Sequence, residues 1–176
     1  MRAIIGIDPG AGGGIAVFHK GIAKAVSMPK SIKDIDNYLR FLADTYERPL
    51  VFIEKVSIHR DDSKTPGMQY GIQKMLANYE SLLTVIRLIG LPIVQVYPVS
   101  WQSMPGIKIS RKGITKQERK NHFKSYAAKT FPECSVNLAV SDALCLIIFG
   151  TDKIHNDPQW IVDRVENIDK KELKLF

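Results

Sequence analysis

Three acidic residues stand where acids are costly. Asp8 closes the apolar run AIIGID, Glu54 closes LVFIE, and Asp142 lies near the start of SDALCLIIFG. A carboxylate at the edge of an oily strand or helix loses hydration unless it is paired or bound to a cation. Three such residues suggest one shared reason: divalent Mg2+ or Mn2+, hard cations that take carboxylate oxygens and keep several waters. Two such ions roughly 3.5–4 Å apart generate a hydroxide nucleophile and stabilise a leaving 3′ oxygen. Each acid also has a plainer reading. Asp8 precedes Pro9-Gly10 and suits a turn. Glu54 precedes Lys55 and suits the surface end of a strand. Asp142 suits the positive amino end of a helix. The joint pattern is harder to reach by chance than any one member.

The second chemical signal is positive charge. The chain of 176 residues carries 25 Lys and Arg against 18 Asp and Glu, a net +7. Residues 106–129 contain Lys108, Arg111, Lys112, Lys116, Arg119, Lys120, Lys124 and Lys129 against the single acid Glu118, so this segment holds the whole surplus. Concentrated positive charge points to a polyanion; a solvated basic face is the plain alternative. Lys116, Lys120 and Lys124 repeat every four residues with Arg119 beside them, so they share one helix face. Phe123, Ala127 and Phe131 face elsewhere, towards a core. Such a stripe tracks a phosphodiester backbone and gives affinity without sequence choice. Neutralising about six phosphates would make log K fall with log salt at a slope near −5.

The glycines at 10, 12, 13 and 14 form neither a Walker loop, since no GK[ST] follows, nor a Rossmann fingerprint, since a strand rather than a helix follows. They suit a hairpin turn and the close approach of a nucleic-acid backbone. Cys134 and Cys145 lie in or beside apolar stretches with no CxxC, and read as reduced core residues. The chain contains no apolar run of membrane-spanning length, and MRAIIGID runs straight into a strand. The expectation is a cytoplasmic protein with no signal or transit peptide and no membrane partner.

The elements that must position these residues follow from periodicity. Residues 3–8, 15–18 and 22–27 read as strands of an antiparallel meander. Ser31 caps a helix with Asp34 in its first turn and Ile32, Ile35, Leu39 and Leu42 at helical spacing. A strand at 50–54 precedes a polar loop at 57–67. Residues 69–89 form a long helix with the stripe Ile72, Met75, Leu76, Tyr79, Leu82, Leu83 and Ile86, closed by Gly90. A strand at 93–96 leads to a helical turn at Pro98 that holds Trp101, read as a core anchor more readily than as a base-stacking surface. A basic loop spans 105–113. Thr115 and Glu118 form a capping box for a helix to about Thr130. Residues 138–149 form a very apolar helix closed by Gly150. The expected division is a domain over residues 1–150 and a C-terminal tail over 151–176, packed on the domain or extending from it.

These residues resemble a known family. IGIDPGAGGGIAVF at 5–18 resembles the first motif of RuvC-type Holliday-junction resolvases, VFIEKV at 51–56 their second, and SDALCLIIFG their last. YPVSWQSMPGI and KQERKNHFKSYAAKTFP resemble the variety found in plant chloroplast, phage and bacterial relatives. The resemblance covers roughly residues 3–150. It implies an α/β, RNase H-like fold: a five-stranded mixed sheet flanked by helices. It implies a crossover junction endodeoxyribonuclease that, as a homodimer, nicks a four-way DNA junction symmetrically, a two-fold protein on a two-fold substrate. Its metal ligands and catalytic residues carry over to Asp8, Glu54 and Asp142, with two Mg2+ or Mn2+ ions. Its junction-entering loop becomes residues 57–70, with His59, Arg60, Lys64 and Tyr70 as DNA contacts; Tyr70 reads equally well as a core residue opening a helix. The helix that begins at Gln69 is similar to the family's dimer-forming helix.

One departure bears on activity. The family has a further acid three or four residues before the last one, where this chain has Ala139 and Leu138. Asn137 and Ser141 are nearby polar residues; Asp152, His155 and Asp157 lie beyond the helix. A branched-DNA-binding protein that does not cut is therefore the alternative function. An actin-like or sugar-kinase ATPase also opens with a strand, Asp, Gly and a turn, but needs two such domains. Related nucleases acting on RNA or hybrids complete the alternatives.

Overall fold

The computed structural model describes residues 2–56, 68–110 and 112–168. His59, Arg60, Lys64 and Arg111, expected to contact DNA, lie outside the described residues. The elements run β1 (Ile4–Asp8), β2 (Gly14–His19), β3 (Ile22–Ser27), α1 (Ile32–Tyr46), β4 (Leu50–Glu54), α2 (Met68–Ile89), β5 (Ile93–Val96), α3 (Pro98–Gln102), α4 (Lys116–Thr130), α5 (Ser141–Asn156) and α6 (Pro158–Val162). The sheet order is β3-β2-β1-β4-β5. β1, β2 and β3 pair antiparallel, whereas β4 joins β1 and β5 joins β4 in parallel. This is the expected five-stranded mixed sheet.

Strand alternation assigns two cores. Ile4, Ala16, Leu50, Phe52, Val94 and Val96 turn to the face that α3, α4 and α5 cover. Ile5, Ile7, Ile15, Val17, Val51, Ile53 and Ile93 turn to the face that α1 and α2 cover. The helix starts follow local chemistry. Ser31 Oγ accepts the Asp34 backbone N–H at 3.1 Å. Thr115 and Glu118 exchange bonds of 2.7 and 3.1 Å in a reciprocal capping box. Phe123, Ala127 and Phe131 are buried as expected, and both cysteines are free.

Two expectations fail for packing reasons. Gly150 does not close α5, which runs on to Asn156. A Cβ at Gly150 would sit 2.7 Å from the Phe52 ring, so this glycine lets α5 lie against the sheet instead of stopping it. A boundary at residue 150 therefore falls inside α5. Beyond it, Ile161 is fully buried, Trp160 meets Phe149 edge-on at 5.3 Å, and Glu166 bridges Ile93 at the sheet edge. The long apolar stripe of α2 is likewise only half used. Tyr79, Leu82, Leu83 and Ile86 are buried, but Met75 is exposed and Tyr70 is 73% exposed, so neither is a core residue. Among the described residues no helix is long and apolar enough to cross a membrane.

Candidate active site

Strand parity and one missing side chain bring the three acids within electrostatic reach of one another. Asp8 and Glu54 share the parity of Ile4 and Leu50, so both turn to the face that α5 covers. Parallel register sets Ile7 beside Ile53, and one step further the two acids come level at the carboxyl ends of their strands. In open α/β sheets this is the end where ligands bind. On the same face Gly6 lies under α5. A Cβ there would fall 2.1 Å from the Ala143 carbonyl oxygen, so only glycine lets the helix come this close. That approach brings Asp142, the residue before Ala143, to the acids. Gly13 serves similarly: a Cβ would sit 2.6 Å from the Asp8 carboxyl carbon, so the turn folds directly over that group.

The carboxyls act on one another. Burial and then the Asp142 charge raise Asp8 from 3.8 to about 6, against the Gly10 N–H and Lys120. Burial and then Asp8 raise Glu54 from 4.5 to about 7, against the Trp101 indole, with Asp142 adding to the rise and Lys120 opposing it. Burial raises Asp142 as well, opposed by Lys120, the Ser141 hydroxyl and Arg119. Two carboxyls pushed towards neutrality by desolvation and like charge form a site that a cation would stabilise. The donors are all hard oxygens, which fits Mg2+ or Mn2+.

Each acid is nevertheless held by its own partner. Gly10 N donates to Asp8 Oδ1 at 3.3 Å, Trp101 Nε1 to Glu54 Oε2 at 2.7 Å, and Ser141 Oγ to Asp142 Oδ1 at 3.0 Å. Among the described residues no three His, Cys, Asp or Glu side chains stand in a ready-made metal-ligand arrangement. Mutual electrostatic reach and ligand geometry are thus different statements here, and only the first holds.

Nothing on α5 replaces the missing fourth acid. Asp152 follows Asp142 by ten residues, about 15 Å along a helix, and bonds to Asn156. His155 bonds to the Thr151 carbonyl and Asp157 to Lys153. Asn137 Oδ1 accepts the N–H groups of Ala139 and Val140, which ties it to the entry of the helix.

The basic residues divide. Lys108, Lys112, Lys116 and Lys124 are exposed, as a phosphate-tracking surface requires. Arg119 and Lys120 are half-buried, and Lys120 acts on all three acids. Its role beside the carboxylates escaped the sequence reading, although its place three residues before buried Phe123 puts it next to the core-facing side of α4. Trp101 is fully buried, edge-on to Phe123 at 4.9 Å, and so not a base-stacking surface. Its bond to Glu54 had no sequence signal, because it joins residues 47 apart.

No family profile matches this chain, and neither does any curated protein. Solved structures do. A Thermus thermophilus RuvC in complex with Holliday junction substrate is similar over 89% of this chain and 97% of its own, with TM-score 0.56 and 13% identity. A Thermus thermophilus RuvC structure gives TM-score 0.55 and 16% identity over 88% of this chain and 96% of its own. The fold is RuvC-like, within the RNase H-like class.

Proposed function

We propose that this protein is a metal-dependent, structure-selective DNA endonuclease that resolves four-way junctions by paired symmetric nicks. The observation that carries the reading is that Asp8 and Glu54, at the carboxyl ends of β1 and β4, are raised by burial and by the charge of Asp142 on α5, itself raised by burial, in a RuvC-like fold. Asp8, Glu54 and Asp142 would hold Mg2+ or Mn2+. Bound there, such ions supply an activated water and neutralise charge on the phosphodiester. The chain's own groups do the rest. Glu54, held in place by the Trp101 indole, would orient the attacking water. Lys120 puts positive charge beside the acids, where a scissile phosphate would otherwise be repelled. Lys108, Lys112, Lys116 and Lys124 grip flanking phosphates. The half-exposed stripe of α2, with Tyr70 and Met75, supports a homodimer through that helix. Branched DNA of this kind would be met in the cytoplasm of a bacterial or phage-infected cell.

A second reading has its own support. Ala139 and Leu138 cannot ligate metal, and the three acids are not gathered as a ligand set. A protein of this fold that binds junctions without cutting them fits those facts. A labelled four-way junction incubated with Mg2+, Mn2+ or chelator separates the two. Symmetric nicks that need metal and vanish in Asp8→Asn are the expected result. Tight binding with no nick under either metal would transfer the conclusion to the binding protein.

A further inference from the structure

We infer that Tyr97 and Lys55 form a stacking platform for an unpaired nucleobase at the rim of the candidate active site. The inference rests on the nucleic-acid reading above. Parallel pairing sets Glu54 beside Val96, and the Lys55 N–H donates to the Val96 carbonyl at 2.8 Å. The next residues therefore leave the sheet side by side, one position beyond the acid. Lys55 Nζ lies 4.8 Å from the centroid of the Tyr97 ring, within cation–π range.

The ring is 50% exposed, and Val99 close by is 63% exposed. The local fold gives no reason for that exposure. Tyr97 occupies the N-cap of α3, yet its side chain makes no capping bond. Trp101, four residues on, is the anchor of this segment and the partner of Glu54. One short turn thus holds the acid with a buried ring and offers a second ring outward.

Charge and shape select the occupant. A half-exposed ring with an ammonium over it matches a base, stacked on the ring's exposed surface, followed by its phosphate, and the chain's surplus of +7 favours a polyanion. Bases inside a duplex are already stacked and offer no free face. The platform therefore takes a base released from its stack, such as one at the branch point of a junction or in a single strand. It tolerates any sequence, because every base has a π face.

The test uses the full chain in chelator, so that no strand is cut. Four-way junctions carry 2-aminopurine at the branch point. Wild-type protein is expected to change its emission on binding, and Tyr97→Phe to keep that change. Tyr97→Ala should abolish it and weaken binding to a single-stranded oligonucleotide roughly tenfold, the scale of losing one stacked base. Its duplex binding and melting temperature should stay as in wild type. Lys55→Gln should lower the salt slope of binding by about one. An unchanged emission response in Tyr97→Ala, with wild-type junction binding intact, overturns the platform alone. So does a changed oligomeric state in Tyr97→Ala, which would make this face a contact between copies. Wild-type protein that binds no DNA overturns the functional reading and the platform together.

Discussion

α5 and the amino-terminal half of α2 are both apolar helical segments, yet one is sealed and the other open. From Ser141 to Ile147 and again at Phe149 and Gly150, α5 is buried on nearly every side, between the sheet and α4. The first turns of α2 leave Tyr70 and Met75 to solvent, and among the described side chains from Gln69 to Asn78 none is fully buried. α5 finds all its partners within the chain, and its position is set to within a methyl group by Gly6 and Gly150. Among the described residues, α2 is buried only along its second half. An apolar helix face is therefore not a core by composition. It becomes one where another element arrives to cover it.

The comparison can be broken by substitution. Asp142→Asn alters the functional end of α5, and junction cleavage should fall at least about 100-fold, more than is typical for loss of an outer partner of a metal ligand. Rates measured under saturating Mn2+ check it; near-wild-type nicking would remove α5 from the site. Gly6→Ala forces a methyl group towards the Ala143 carbonyl, and overpacking of this kind costs about 1–3 kcal/mol. Chemical denaturation should show that loss, with cleavage falling because Asp142 moves.

Asp8→Asn probes the same pocket through pH. The folded state raises this carboxyl from 3.8 to about 6, so it binds the proton more tightly than the unfolded chain does. The associated stability is complete below about pH 4, declines as pH rises to about 6, and stays lost above. Glu54 extends the decline to about 7. Replacing Asp8 by neutral asparagine should therefore stabilise the metal-free protein by about 1–2 kcal/mol at pH 8, after allowance for water at the site, and leave it unchanged at pH 4. Melting curves at the two pH values decide. A gain at pH 4 as large as at pH 8 would mean that charge is not the cause.

The smallest effect belongs to α2. A Cβ on Gly71 meets nothing within 4 Å. Gly71→Ala should raise stability by about 0.5–1 kcal/mol through helix propensity alone. The same exchange thus has opposite signs at Gly6 and Gly71, because one glycine lies under a helix and the other faces solvent. A loss at Gly71 would show that this glycine is covered in solution.

Much of this was legible in the sequence. The antiparallel meander, the Ser31 cap and the Thr115–Glu118 box depend on residues a few positions apart, and they stand as read. Asp8 and Glu54 stood out because an acid ending an apolar strand is expensive. Lys120 was grouped with Lys116 and Lys124, since spacing shows a shared face but not what that face meets. Gly150 looked like a helix stop, since a glycine's context is invisible until Phe52 is placed beneath it.

By itself the sequence determined that Asp8 and Glu54 close apolar strands, because an apolar run and its end are local features of the chain. It also determined where the positive charge is concentrated. Only the tertiary structure decided that Asp142 reaches those acids, that Trp101 holds Glu54, and that α2 is left half bare. Those outcomes depend on which surfaces meet, and contacts between residues far apart in the chain leave no periodicity to read.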